Sequence, residues 1–448
     1  GSPMSGPSVD LTACDTEPIN IIGAVQPHGA LLAADAESLR IEYASGNIAH
    51  YLGIEAEACI GETLATILGA ENAEALRERQ LVPLKPDILK PWFLSLNSGN
   101  GERKLECFPH LHDGWIILEF VPFESGPAAV WEEDLLRQRI ISELVRPDTL
   151  ADLAEVSARI IRDVTGFDRV MIYRFAADKH GEVIAESTNR PDSFLGQHYP
   201  ASDIPDPARR HFVLNVIRSI PDINAVPSPI FARGGGVANA DHKAPLDLTY
   251  SKLRAVAPVH IEYLNNMGVS ASMSISIISN DDLWGLVACH HYAPLHLPWS
   301  RFRFCELLGG TISTLLQSLE NTIQLRQSVA AERTAFDIES QFRDGRHLGE
   351  LIGDNAETLM RHAGARGMTL RLAGQERHFG QVPRVTPDFS PLGSQLVEGV
   401  AATDNLPAIA SVERSDWKVA SGVALLLLSE DQQDQLILYR EEFEHTIN

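Results

Sequence analysis

From Phe304 onward, Leu308, Ile312, Leu315, Leu316, Leu319 and Ile323 recur at helical spacing. The pattern weakens but persists through Ala335 and Phe342, until Asp344-Gly345 ends it. A periodic stretch of that length is unusual for a globular helix and points to a connector rather than a core element. The chain is therefore expected to fold as several bodies. At about 150 residues per domain, 448 residues give roughly three. With 44% apolar and 22% charged residues, each can bury a core of its own.

Ahead of the connector, residues 20–125 read as an α+β unit. Residues 30–34 and the alternating 39–43 suit two strands joined by a turn at 35–38, and 103–108 and 115–120 flank the turn signal Asp113-Gly114. Residues 56–67 and 72–80 favour helix, and 122–129, rich in small residues and proline, reads as a linker. Helical spacing covers 131–145 and 150–165, the latter on Leu153, Val156, Ile160, Ile161 and Val164. A second mixed domain follows, with strands expected at 169–175, 182–186, 272–277 and 283–292. Between its strand pairs, residues 221–245 hold four prolines and the Gly234-Gly235-Gly236 triplet. Long loops inside a domain are usually functional. A third domain begins near His347, with strands expected at 368–372, 423–428 and 435–439.

Charge narrows the function. Sixty acidic residues against 37 basic ones leave a net charge of −23, which argues against gripping a nucleic-acid backbone or docking on an anionic membrane. Five scattered cysteines form no disulfide framework and suit a reduced cytoplasm. No apolar run approaches the roughly 20 residues that span a bilayer. Gly1-Ser2-Pro3 reads as a cloning remnant with no signal peptide behind it. The P-loop, G-x-S-x-G, H-E-x-x-H and kinase signatures are all missing.

The residue types that carry chemistry are few. Cys14 lies in the arm Leu11-Thr12-Ala13-Cys14-Asp15-Thr16-Glu17-Pro18, where a free thiol in a terminal tail is the plain reading. Cys59, Cys107, Cys289 and Cys305 sit in apolar contexts and are expected in the core. His290 and His291 end a strand, so alternation turns one of them inward. They lack the second cluster that zinc or iron would need. In Pro200-Ala201-Ser202-Asp203-Ile204-Pro205, two prolines fix the backbone around Asp203. The same stretch is also a helix entry, with Ser202 or Asp203 as N-cap and Pro207 in the first turn. Arg209, Arg210, Arg218 and Arg254 form either a local anion pocket or solvated helix-face charges.

At these residues the sequence resembles the photosensory module of a bacterial phytochrome. The matching stretches are Cys14-Asp15-Thr16-Glu17-Pro18-Ile19, Gln26-Pro27-His28-Gly29, Tyr173-Arg174-Phe175 and Tyr199-Pro200-Ala201-Ser202-Asp203-Ile204-Pro205. Tyr263-Leu264-Asn265-Asn266-Met267-Gly268-Val269 and Leu283-Trp284-Gly285-Leu286-Val287-Ala288-Cys289-His290-His291 complete the set, in the family's order. The resemblance is good over residues 11 to about 325 and weaker beyond. It implies an α+β chain: an arm (1–19), a PAS domain (20–125), a GAF domain (126–325) and a GAF-like PHY domain (326–448). PAS and GAF would be antiparallel sheets with helices, joined by an N-terminal figure-of-eight knot that threads near Val25 through the 221–245 loop. A long helix would lead to PHY.

The implied cofactor is biliverdin, a linear tetrapyrrole, held as a thioether by Cys14. The Asp203 carbonyl, within the Ile204-Pro205 turn, would face the pyrrole N–H groups, and His260 would hydrogen-bond around the same nitrogens. His290 would meet the carbonyl of the rotating end ring, walled by Tyr173, Tyr199 and Tyr263. Arg218 and Arg254 would pair with one propionate, Ser272 and Ser274 with the other. The implied role is a red/far-red photoreceptor, not itself catalytic, in which red light isomerises a bilin double bond and the change passes to PHY and the long helices. Phe212 stands where the family usually has tyrosine, and Asn20 replaces a common histidine. Family PHY domains carry a tongue hairpin with Pro-Arg-x-Ser-Phe, and the expectation is that this chain stops as that hairpin begins. Homodimerisation is expected through helices near 130–145 and 304–343. Competing readings are a kinase or cyclase activity in the full-length protein, and a GAF/PAS sensor of a small ligand.

Overall fold

The computed structural model describes residues 19–79, 92–98, 101–123, 127–234, 245–397, 399–403, 406, 416, 419–429, 431 and 433–441. Cys14 and its arm therefore lie outside the described residues, as do Gly235, Gly236 and the end of the chain. The chain divides after Leu319 into two compact units.

In the first unit come β1 (Ala24–Val25), β2 (Ala30–Asp35), β3 (Ile41–Ser45), helices α1 (Ile48–Leu52), α2 (Ala56–Cys59), α3 (Leu64–Leu68) and α4 (Ala70–Glu78), then β4 (Trp92–Ser98), β5 (Gly101–His112) and β6 (Trp115–Pro122). The single helix expected over 56–67 is two. Gly61 has φ +90°, and the residues around it bond to β3 instead, Ile41 N–H to Glu62 O and Gly61 N–H to Ile41 O, both at 2.8 Å. Helix α5 (Pro127–Leu144) takes the end of the expected linker, because proline suits a helix's first turn. Helix α6 (Leu150–Thr165) follows.

Next are β7 (Arg169–Phe175), β8 (Gly181–Thr188), β9 (His198–Tyr199), α7 (Asp206–Leu214), β10 (Ile217–Ile220), β11 (Ser228–Ala232), α8 (Pro258–Asn266), β12 (Ala271–Ser279), β13 (Asp282–His291) and α9 (Trp299–Arg343). The second sheet runs β10-β12-β13-β7-β8-β9, with antiparallel neighbours. The first runs β1-β11-β3-β2-β6-β5-β4, so a strand from within the long loop joins a sheet built some 200 residues upstream. Ala24 pairs with Pro229 on one side. On the other, Gln26 N–H donates to Leu253 O at 2.7 Å and Ala255 N–H to Ala24 O at 3.0 Å. The segment around Val25, the expected thread, is thus bonded on one side by residues 228–229 of the expected loop and on the other by residues 253–255, beyond that loop's expected end at 245. Residues 235–244 of the loop lie outside the described residues.

Strand alternation places the cores. On the second sheet, Val170 and Ile172 of β7, Met273, Ile275 and Ile277 of β12, and Val287 and Cys289 of β13 face α6 and the first turns of α9. The alternate residues of the same strands, Tyr173, Ser272, Ser274 and His290 among them, point to the opposite face. All four described cysteines are buried, as expected.

The second unit holds α10 (Leu348–Asp354), α11 (Ala356–His362), β14 (Gly367–Leu372), β15 (Gln375–Gly380), β16 (Val400–Thr403), β17 (Gly422–Leu427) and β18 (Gln435–Arg440), in sheet order β15-β14-β18-β17-β16. Met368, Leu370, Leu436 and Leu438 pack with Ile352, while Val423, Leu425, Ile437 and Tyr439 pack with Phe389 and Leu392. Among the described residues, no helix is long and apolar enough to cross a membrane.

Candidate functional site

The polar face of the second sheet floors a cavity of about 260 Å³. All twelve described residues expected at the site line it: Tyr173, Tyr199, Asp203, Ile204, Pro205, Arg218, Arg254, His260, Tyr263, Ser272, Ser274 and His290. They come from six strands or helices and two irregular segments, so no local pattern gathers them. Sheet alternation brings up Tyr173, Ser272, Ser274 and His290. Helix α8 adds His260 and Tyr263, three residues apart on one helical face.

The Pro200–Pro205 stretch is a 3-10 turn over Ala201–Asp203. The N-cap of α7 is Pro205, without a side-chain cap bond, so neither Ser202 nor Asp203 caps that helix. The first proline-bounded turn closes before the second begins. Burial raises the Asp203 carboxyl above its ordinary range. Tyr173 and Tyr199 lie with ring centroids 5.4 Å apart, and Tyr263 is pushed up to about 12 by burial, then by Asp203 and Tyr199.

Arginines split as the sequence left open. Arg209 packs over Phe175 at 4.2 Å and donates to Ile204 O at 3.2 Å, and Arg210 is exposed. Arg218 and Arg254 face the cavity. Arg218 donates to the carbonyls of Arg254 at 2.6 Å, Ala255 at 3.2 Å and Lys252 at 3.4 Å. Arg254 donates to Thr249 O at 3.1 Å and Leu248 O at 3.4 Å. Among the described residues neither makes an ion pair. Two cations held by carbonyls, with the His211 ring beside Arg254, and paired with no carboxylate among the described residues suit a ligand that brings its own carboxylates. Burial draws Arg254 down to about 10 and Arg218 well below its ordinary value.

Histidines complete the wall. His290 is 8% exposed, and its Nδ1 has no hydrogen-bond partner; burial, then Arg169 and His260, lowers it to about 4. His260 lines the cavity and keeps an exposed surface, and the desolvation it meets there, followed by Arg218, brings it to about 4. His291 turns the other way and meets Asp168 at 3.1 Å. His211 also lines the cavity, 3.3 Å from Arg254. Nothing in the helical sequence around His211 distinguished it from a surface residue. Phe212, also in the lining, offers no hydroxyl.

Three family models cover the chain in succession: a PAS fold over residues 14–123, a GAF domain over 149–319 and the phytochrome region over 332–448. A photosensory core module of the phytochrome from Stigmatella aurantiaca superimposes with a TM-score of 0.80 at 33% identity, over 97% of this chain and 86% of that one. The chain belongs to the phytochrome family. Cyanobacterial phytochrome B of Nostoc is 33% identical and the bacteriophytochrome of Pseudomonas aeruginosa 32%, each over 98% of this chain. The chain spans 59% of the length of both relatives. It is the photosensory, PAS-GAF-PHY region of a phytochrome, mixed helix and antiparallel sheet as the sequence implied.

One glycine sets a wall of this phytochrome's cavity. A methyl group on Gly181 would overlap ring carbons of Tyr173, so Gly181→Ala is expected to displace that ring at a cost of about 1–3 kcal/mol. Urea unfolding measures it. An unchanged midpoint would mean that the ring has room to spare.

Proposed function

We propose that this chain senses red and far-red light by holding biliverdin, covalently through Cys14, in the cavity of its second domain. The observation that carries this reading is the pair Arg218 and Arg254, lining the cavity with no ion-pair partner among the described residues, beside the unpartnered Nδ1 of His290. Those residues fit a long polar ligand with two carboxylates and an end-ring carbonyl. Arg218 and Arg254 take one propionate, and Ser272 and Ser274 the other. The Asp203 carbonyl and His260 hold the pyrrole N–H region, and Ile204 and Pro205 keep that turn rigid. His290 hydrogen-bonds the end-ring carbonyl, and Tyr173, Tyr199 and Tyr263 leave that ring room to turn. Bound biliverdin supplies red absorption and a light-driven double-bond isomerisation.

The domain limits in this reading are 20–125, 126–325 and 326–448, and the compartment is the cytoplasm. Light scattering would test a homodimer through α5 and α9, whose Ile141, Leu325 and Phe336 are exposed. Signalling goes to an output domain outside this chain; the second reading places a kinase or cyclase activity there. Co-expression with a haem oxygenase is expected to give a green protein whose red absorbance changes on red illumination. Cys14→Ser is expected to abolish the zinc-induced fluorescence of the denatured band. Colourless protein would sink the reading, and fluorescence persisting in Cys14→Ser would move the attachment elsewhere.

A further inference from the structure

Along β6, Ile117 and Val121 belong to an apolar cluster with Val25, Leu31, Phe108, Leu248 and Leu253. Between them, on the same face by alternation, stands Glu119, with no exposure at all. A carboxylate in such a layer persists only when its oxygens are bonded. Both are: Oε1 accepts from Lys252 N–H at 3.0 Å and Oε2 from Leu253 N–H at 2.7 Å. The bonded strand of chain continues directly into Arg254.

The same short strap, residues 252–255, carries the cavity's cations on its other groups. Its carbonyls at Lys252, Arg254 and Ala255 accept the Arg218 guanidinium, and Arg254 is one of its own members. Gln26 adds a third hold, its side chain donating to Arg254 O at 3.2 Å. Glu119 does not line the cavity. It binds the strap from the first sheet, behind both arginines.

We infer that Glu119 is a positioning residue for carboxylate capture: by fixing the Lys252–Ala255 strap it aims Arg218 and Arg254 at a propionate of the bilin. The inference rests on the reading of the cavity as a bilin site. It separates two roles that loss of binding alone would confuse. A residue that only supports the fold affects every ligand of the cavity alike. One that aims the arginines matters only for a ligand bearing free carboxylates.

The test compares uptake of biliverdin with uptake of biliverdin dimethyl ester, which keeps the tetrapyrrole and masks both carboxylates. Association rates are measured on the wild type, Glu119→Gln and Glu119→Asp, with thermal unfolding of each. Wild type is expected to prefer the free acid, and both variants to lose about tenfold of that preference, the equivalent of one charge-assisted contact, while ester uptake stays within a factor of two or so. Equal slowing of both pigments, or full preference kept in folded variants, would overturn the inference, as would failure of both variants to fold. A wild type that takes up neither pigment would instead defeat the bilin reading itself.

Discussion

Acidification from pH 6.5 to pH 5 is expected to lower the unfolding free energy of the bilin-free protein by about 3 kcal/mol. Three histidines enclosed by protein set the sign and the size, and His211 and His260, lowered to about 4 but open to the cavity, add to the loss in the same direction. Burial, followed by His296 and Arg218, lowers His28 to about 3; burial, followed by His112 and Lys252, lowers His110 to about 3; His290 is lowered to about 4. Their ordinary value is 6.5, so below that pH the unfolded chain binds protons that the folded chain refuses. The stability these groups contribute is present above pH 6.5 and is lost as pH falls towards 4 and then 3. Glu119 acts in the opposite direction. Burial raises it from 4.5 to about 7, so its contribution is present below pH 4.5 and lost as pH rises through 7. On unfolding near pH 5, three protons are taken up and one released, a net slope of about 3 kcal/mol per pH unit.

Two features make this test clean. Ordinary carboxylates titrate below the window, so losses between pH 6.5 and 5 belong to histidine. Acidification also relieves self-repulsion in a chain of charge −23, which should favour the folded state. A falling melting temperature therefore runs against the general charge effect. Calorimetry at pH 6.5, 6.0, 5.5 and 5.0 measures it. A flat or rising melting temperature would mean that these histidines accept protons in the folded state.

What the sequence disclosed follows the range of the interactions involved. Helix α6 was legible to the residue because its signals are local. Leu153, Ile160 and Ile161 mark the buried stripe, Thr149 caps the first turn by accepting from Asp152 N–H at 3.1 Å, and Gly166 leaves the last turn at φ 79°. Strand β4 is not among the expected strands although Trp92, Leu94 and Leu96 alternate inward, and its partner Gly101–His112 extends beyond the expected 103–108. Strand β11 was not legible at all. Its Ser-Pro-Ile-Phe-Ala has little pattern, and it becomes a strand because β1 and β3, far upstream, bond to its two edges.

The site divides in the same way. Family likeness named the twelve described residues that the fold gathers, whereas spacing alone left the arginines ambiguous between surface and pocket. Glu119 stands apart in its own strand: one acid within Trp-Ile-Ile-Leu-Glu-Phe-Val is too costly to bury without partners. Those partners are backbone N–H groups more than 130 residues away, and no side-chain pattern announces them.

Gly285→Ala is expected to be the most damaging small substitution in the second domain. Gly285 of β13 lies opposite Arg174 of β7, and Leu286 lies opposite Tyr173. A methyl group on Gly285 would overlap the carbonyl oxygen of Tyr173. The obstacle at Gly181 is a ring that can turn; here it is backbone inside a hydrogen-bonded ladder, flanked by β12 and β8. Relief requires β7 and β13 to part, and both strands carry cavity residues, Tyr173 on one and His290 on the other. The cost is about 3 kcal/mol, a fall in melting temperature of roughly 6–12 °C, together with loss of bilin uptake. Gly310→Ala serves as the matched control. That glycine is exposed inside α9, a methyl there meets nothing within 4 Å, and alanine should raise stability by up to about 1 kcal/mol. If both variants melt alike, the β7–β13 contact is looser than the structure draws it, and the cavity floor does not depend on a glycine at this position. If Gly285→Ala alone melts early yet still takes up biliverdin at the wild-type rate, Tyr173 and His290 are held by something other than the ladder between their strands.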